Sequence, residues 1–230
     1  MLELRSSGGV ARVFLNRPEK ANALTSGLLS QLKITFEELK GEAALRAVVL
    51  AGRGSAFCGG ADVNELAALD AQNAADFVLK IHLVCKAIRD LPVPVVARLH
   101  GAVIGAGLEI AAACDLRIAA EGTKFAMPEV RLGIPSVVEA ALLPRLMGSG
   151  RAAWLVLTGE AIDARQAYAW GLVEKVASDL DRETEEVLRH LLAGSREALR
   201  MQKALLQLWE ESPLGDAVAA SIEMFAAAHR

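Results

Sequence analysis

Six consecutive residues, Ala47-Val48-Val49-Leu50-Ala51-Gly52, carry no polar side chain. A strand with one face in water alternates apolar and polar positions. A run without alternation is buried on both faces, which places helices on both sides of a largely parallel sheet. Parallel neighbours need crossover connections, so the segment asks for strands alternating with helices. The rest of the chain supplies them. Residues 10–16 form a β-branched apolar run ending at Arg17-Pro18, Val95–Leu99 follows Pro92 and Pro94, and 115–119 and 172–176 read as two more strands. Thr25 is placed to cap a helix through Leu28, Leu29, Leu32, Phe36 and Leu39, stopped by Gly41. Helical spacing recurs over 64–69 and Ala74–Arg89. From about residue 137 the pattern is mostly helical, and 180–230 is amphipathic with breaks at Gly194 and Ser212-Pro213. The expected organisation is a mixed α/β core over 1–176, helical from about 137, followed by a helical segment over 177–230.

Composition narrows the function classes. A 53% hydrophobic content with only 4% aromatic residues means that Ala, Leu and Val fill the core. A net charge of −3 gives no reason to expect nucleic acid or an anionic membrane as partner. Cys58, Cys85 and Cys114 are odd in number and far apart, so neither a disulfide framework nor a zinc site is expected. Residues 1–5 lack the apolar region of a signal peptide, and no window approaches the ~18 apolar residues of a membrane span. A cytoplasmic protein is the expectation.

Two glycine-rich turns carry the chemistry. Each follows a strand and opens a helix: Ser55-Ala56-Phe57-Cys58-Gly59-Gly60-Ala61-Asp62, and the loop 101–107 before a short helix through Cys114. Small residues admit a ligand close to the backbone, and N–H groups at such turns bind oxyanions. Two N–H groups on one thioester carbonyl make it an electron sink for chemistry at the neighbouring carbons. Glu109 lies in the helix opened by the second turn, and Glu129 follows Pro128. Two facing carboxyls raise one another's proton affinity, leaving an acid and a base together near neutrality.

These residues resemble the enoyl-CoA hydratase/isomerase family, the crotonase superfamily. The resemblance runs from about Val13 to Val176. It rests on 16–24 (Asn-Arg-Pro-Glu-Lys-Ala-Asn-Ala-Leu), Phe57–Asp62, His100–Asp115, Pro128-Glu129, Thr158-Gly159-Glu160 and Ala169-Trp170-Gly171-Leu172-Val173. It implies an α/β fold with a ββα spiral core and a C-terminal helical extension. It implies an acyl-CoA thioester as substrate, no separate cofactor, and a homotrimer or dimer of trimers. Gly59 and Ala106 match the oxyanion-hole positions. Lys20, Ala21, Gly60, Ala61 and Asp62 match the CoA-contacting segments. Glu109 and Glu129 match the two hydratase glutamates, with the division of roles between them open. Both being present favours hydration of a 2-enoyl-CoA to a 3-hydroxyacyl-CoA. The alternatives are double-bond isomerisation or another acyl-CoA lyase reaction of the family; non-catalytic acyl-CoA or RNA binding fits the acidic charge and intact carboxylates less well.

The sequence departs from that pattern in three places. Ser136-Val137-Val138-Glu139 stands where many hydratases carry glycines, so Glu139 is a candidate third carboxylate at the site, or else a first-turn acid of a helix over 138–147. Ala106 replaces glycine. The resemblance also implies a further helical stretch beyond residue 230, so the C-terminal segment is expected to be shortened. Cys58 and His100 read as structural, and His82, His190 and His229 show no ligand spacing. Arg182, Arg189, Arg196, Arg200 and Lys203 read as a solvated helix face, and Leu199, Leu205, Leu206, Leu208 and Trp209 as core or subunit interface.

Overall fold

The computed structural model describes residues 1–229. Its centre is a six-stranded sheet of β1 (Leu2–Ser7), β2 (Val10–Leu15), β3 (Ala47–Gly52), β4 (Val95–Leu99), β6 (Leu116–Ala120) and β9 (Lys175–Ala177), in that spatial order. β1 is antiparallel to β2, and every other pairing is parallel. The nonalternating run is β3, buried at all six positions between β2 and β4. The α/β class expected from it holds.

β1 escapes the sequence reading. Leu2 pairs with Leu15 and Ser7 with Val10 across Gly8-Gly9, both at positive φ (59° and 79°). That is the two-residue hairpin turn glycine makes at little cost, and the Gly-Gly pair was its signal. The loop over 101–107 is not all loop. β5 (Ala102–Ile104) joins β7 (Lys124–Ala126) and β8 (Ile162–Asp163) in a second, three-stranded sheet. The last strand of the main sheet also lies at 175–177 rather than 172–176, because Gly171, in the left-handed region at φ 85°, ends the preceding helix and Leu172 and Val173 pack into the core.

One face of the main sheet is covered by α1 (Ser26–Lys40), α3 (Ala74–Arg89) and α4 (Ala106–Ala113). Thr25 caps α1 by accepting the Leu28 N–H at 3.2 Å, and Leu28, Leu29, Leu32, Phe36 and Leu39 form its buried stripe. Phe36 is fully buried; each such side chain contributes about 2 kcal/mol of apolar burial. The short α2 (Val63–Ala67) lies between the loop over 53–62 and α3. The chain then makes a 3-10 turn (Val138–Leu142) leading into α5 (Leu143–Met147), followed by α6 (Ser149–Thr158) and α7 (Ala164–Trp170).

The opposite face of the sheet is covered by α8 (Leu180–Ala193). Leu188 packs on Val10, Ala47 and Val49, and Leu180 on Val96 and Ile118. α9 (Arg196–Glu211) is pinned by Lys203, which corrects its expected place on a solvated face. Lys203 is buried, and its Nζ donates to the Ile88 and Val93 carbonyls and, at 2.8 Å, to Asp115. Four polar groups satisfied together make burial of that charge tolerable. α10 (Leu214–Ala227) is different: Leu214, Val218, Ile222 and Phe225 are exposed along it, beside Trp209 of α9.

Candidate active site

The two glycine-rich turns meet. The Cys58 N–H donates to the Ala102 carbonyl and the Ile104 N–H to the Cys58 carbonyl, both at 3.0 Å, so β5 is stitched to the loop over 53–62. Gly107 permits the approach, since a Cβ there would stand 2.7 Å from the Cys58 Cβ. Burial pushes the Cys58 thiol up to about 12, so it stays protonated and serves packing, not nucleophilic attack. His100 caps the same junction structurally, its Nε2 lying 3.0 Å from the Gly54 carbonyl oxygen.

The backbone donors are now identifiable. The Gly59 N–H does not fit its expected role, because it is committed to the Ala21 carbonyl at 2.8 Å. Gly60, at φ 100°, turns its carbonyl to the Leu24 N–H, and the Asp62 N–H donates to the Leu24 carbonyl. Among the described residues, the Ala61 N–H between them and the Ala106 N–H at the start of α4 make no hydrogen bond. The unspent pair is therefore Ala61 and Ala106. The sequence could not separate Gly59 from Ala61, because the choice depends on pairing with residues 21 and 24, far back in the chain.

Asp62 also faces inward. It caps α2 through the Asn64 N–H at 3.0 Å, and Arg17 holds its other oxygen at 3.2 Å. Its place is the frame of the loop, not contact with a ligand. Lys20 is exposed on the rim, and Ala21, at φ 49°, contributes its carbonyl. A residue the sequence reading passed over organises this corner. Fully buried Asn22 accepts the Arg17 N–H at 2.8 Å and donates to the Arg53 and Ala56 carbonyls at 2.9 and 2.8 Å.

Glu109 lies in the first turn of α4 and is 4% exposed. Its Oε1 accepts the Ala140 N–H at 3.1 Å. Burial, the largest effect, pushes its pKa up to about 8; the Ala140 donor pulls down, while the charges of Glu129 and Glu139 push up. Glu129 opens a 3-10 turn (Glu129–Leu132), is half-buried, and accepts the Ser136 hydroxyl at 2.9 Å. Glu139 is the third carboxylate and is not a solvated helix-start acid. It is buried, its Oε1 lies 2.8 Å from His82 Nδ1, and its Oε2 has no protein partner among the described residues. The His82 partnership across 57 positions left no trace in local spacing.

The site thus gathers two unspent N–H donors, a carboxyl that holds its proton at neutrality and a second carboxyl beside it. Among the described residues, no group of three or more His, Cys, Asp or Glu is placed to hold a metal ion, and no helix is long and apolar enough to cross a membrane.

A family model for enoyl-CoA hydratase/isomerase matches residues 5–230. The short-chain-enoyl-CoA hydratase of Clostridium acetobutylicum is 33% identical over 226 residues, 96% of this chain and 87% of that protein. The crotonyl-CoA hydratase of Syntrophomonas wolfei is 35% identical over 199 residues, 85% and 76% of the two chains. Among solved structures, an enoyl-CoA hydratase from Mycobacterium smegmatis superposes with a TM-score of 0.96 at 33% identity, covering 98% of this chain and 90% of that one. Matches of this extent, on a fold whose turns and carboxylates fall where the motifs require, place the chain in the enoyl-CoA hydratase/isomerase family.

Proposed function

We propose that this protein is an enoyl-CoA hydratase that adds water syn across the double bond of a 2-enoyl-CoA, giving a 3-hydroxyacyl-CoA. The observation that carries the reading is the pairing of Glu109 with Glu129 beside the unspent Ala61 and Ala106 N–H groups. The thioester oxygen sits between those two donors, which stabilise the enolate that forms when oxygen adds to C3. A water held between the carboxyls loses one proton to the ionised glutamate as its oxygen bonds C3. The protonated glutamate gives its own proton to C2. Both carboxyls serve one face of the substrate, hence syn addition, and the pair ends with the same count of protons. Every step is proton transfer and carbonyl polarisation, so no redox group or metal enters it.

Lys20, Ala21 and Gly60 are the proposed CoA-side contacts, with Asp62 holding their loop. Residues 177–230 are proposed to seal the sheet through α8 and to form a subunit interface through α10, giving a homotrimer or dimer of trimers. A cytoplasmic location fits the chemistry.

The test is direct. Purified protein mixed with crotonyl-CoA is followed by loss of the conjugated enoyl-thioester absorbance, with the product identified as 3-hydroxybutyryl-CoA. Turnover supports the reading. No loss of absorbance, with conversion of a 3-enoyl-CoA instead, replaces it with isomerisation.

A further inference from the structure

Val138 is a β-branched residue at φ 41°, in the left-handed region that such side chains avoid. The next residue, Glu139, is a buried carboxylate with one oxygen lacking a protein partner. The residue after that, Ala140, sends its N–H to Glu109 Oε1. Two unfavourable features thus sit side by side in a three-residue turn whose Ala140 N–H, shared with the Val137 carbonyl at 3.0 Å, also reaches a carboxyl of the candidate site. Backbone strain of this kind costs of order 1–3 kcal/mol and persists only where the surroundings over-determine it. What fixes this turn from outside is His82 on α3, its ring Nδ1 in hydrogen-bond contact with Glu139 Oε1 at 2.8 Å.

Resting on the hydratase reading above, we infer that His82 is a positioning residue for Glu109. Through Glu139 it holds the strained turn over 138–140 in the conformation that presents the Ala140 N–H to the Glu109 carboxyl. The chain of contacts runs from α3, through the turn, to α4. It explains why a buried acid occupies position 139: an apolar side chain there has nothing for His82 to grip. The ionisable groups around it are few. His82 and Cys85 face Glu139 from α3, Glu109 faces it from α4, and Glu129 faces Glu109 from the neighbouring 3-10 turn. The Cys85 thiol, fully buried against these carboxylates, is pushed well up and stays neutral.

His82 is nearly half-exposed, so truncating it removes little buried packing. Asparagine places an amide N–H where the histidine Nδ1–H stands, so His82→Asn is the conservative replacement and His82→Ala the disruptive one. The Glu109 carboxyl is followed by infrared difference spectroscopy across pH, its band assigned by its absence in Glu109→Gln. In His82→Ala the freed turn withdraws the Ala140 donor from the charged form, so Glu109 titrates about one pH unit higher, tenfold in proton affinity. His82→Asn titrates as the native protein does. With crotonyl-CoA, His82→Ala loses about tenfold in kcat with KM unchanged, and His82→Asn recovers most of it. The inference is overturned if His82→Ala titrates like the native protein, or if His82→Asn shifts as far as His82→Ala. The titration needs no turnover. Absence of hydration in the native protein therefore counts against the proposed function alone, while the infrared result still decides the role of His82.

Discussion

The Glu129 carboxylate occupies the space that a side chain on residue 105 would fill. Gly105 has φ 52° and ψ −124°, and a Cβ built on it would collide with Glu129 Oε1. The last residue before α4 is therefore glycine for two reasons at once: the backbone needs a conformation that L side chains avoid, and the second carboxyl of the site closes over the bare Cα.

Gly105→Ala should therefore disable the site without dismantling the fold. The new methyl displaces Glu129 and strains the entry to α4. A displacement of about 1 Å at a reacting group costs on the order of 100-fold in rate. Hydration kinetics at saturating crotonyl-CoA would read this as a kcat effect; a variant with native kcat would show that Glu129 need not sit against residue 105.

Glu109 sets a pH dependence of known sign. Its pKa in the folded protein is about 8, against the 4.5 of a free glutamate side chain. The folded state binds this proton more tightly than the unfolded chain, so its contribution to stability is full below about 4.5 and is lost as pH rises through 8. Glu109→Gln keeps an oxygen for the Ala140 N–H and removes the charge. It should melt on the order of 10 °C above the native protein at pH 9 and close to it at pH 4, since a shift of this size is about 5 kcal/mol and each kcal/mol moves Tm by about 2–4 °C at this size. Equal melting at pH 9 would show that ionised Glu109 is not a burden to the fold.

Asn22 should matter through the frame of the first turn. Asn22→Ala leaves the Arg17 N–H without its acceptor, and the part-buried Arg53 carbonyl and the buried Ala56 carbonyl without their donor. The expected loss is about 3 kcal/mol, read by urea unfolding, with a raised KM for acyl-CoA because residues 53–62 loosen. An unchanged midpoint would place those groups in contact with solvent.

How much of this was legible in the sequence depended on distance along the chain. β3, β4 and α3 were read to the residue because their signals are local: an unbroken apolar run, proline punctuation and helical spacing. Motif singled out Glu109 and Glu129, and the fold brings the two carboxyls close enough for their charges to interact. The second sheet was not, since β5, β7 and β8 are two or three residues each and exist only through pairings such as Val103 with Phe125. Nor was the difference between Gly59 and Ala61, which Ala21 and Leu24 decide, or the partnership of His82 with Glu139, which crosses two helices' worth of chain.

The exposed apolar face of α10 tests the assembly. Leu214, Val218, Ile222 and Phe225 lie along one helix. Val218→Asp with Ile222→Asp should convert a trimeric or hexameric species into monomer in analytical ultracentrifugation, with the sheet's circular dichroism retained. A doubly substituted protein of unchanged mass would place the subunit contact elsewhere.

The proposed hydration requires Glu109 and Glu129 to act as one unit, and a double-mutant cycle tests that most directly. Glu109→Gln, Glu129→Gln and the double variant would be compared with the native protein by kcat for crotonyl-CoA. Each single change should cost about 10³-fold, and the double change little more than either alone, because the reaction needs both a donor and an acceptor of protons at the same moment. A single variant that hydrates crotonyl-CoA at the native rate would contradict the account and leave one glutamate as the sole proton shuttle.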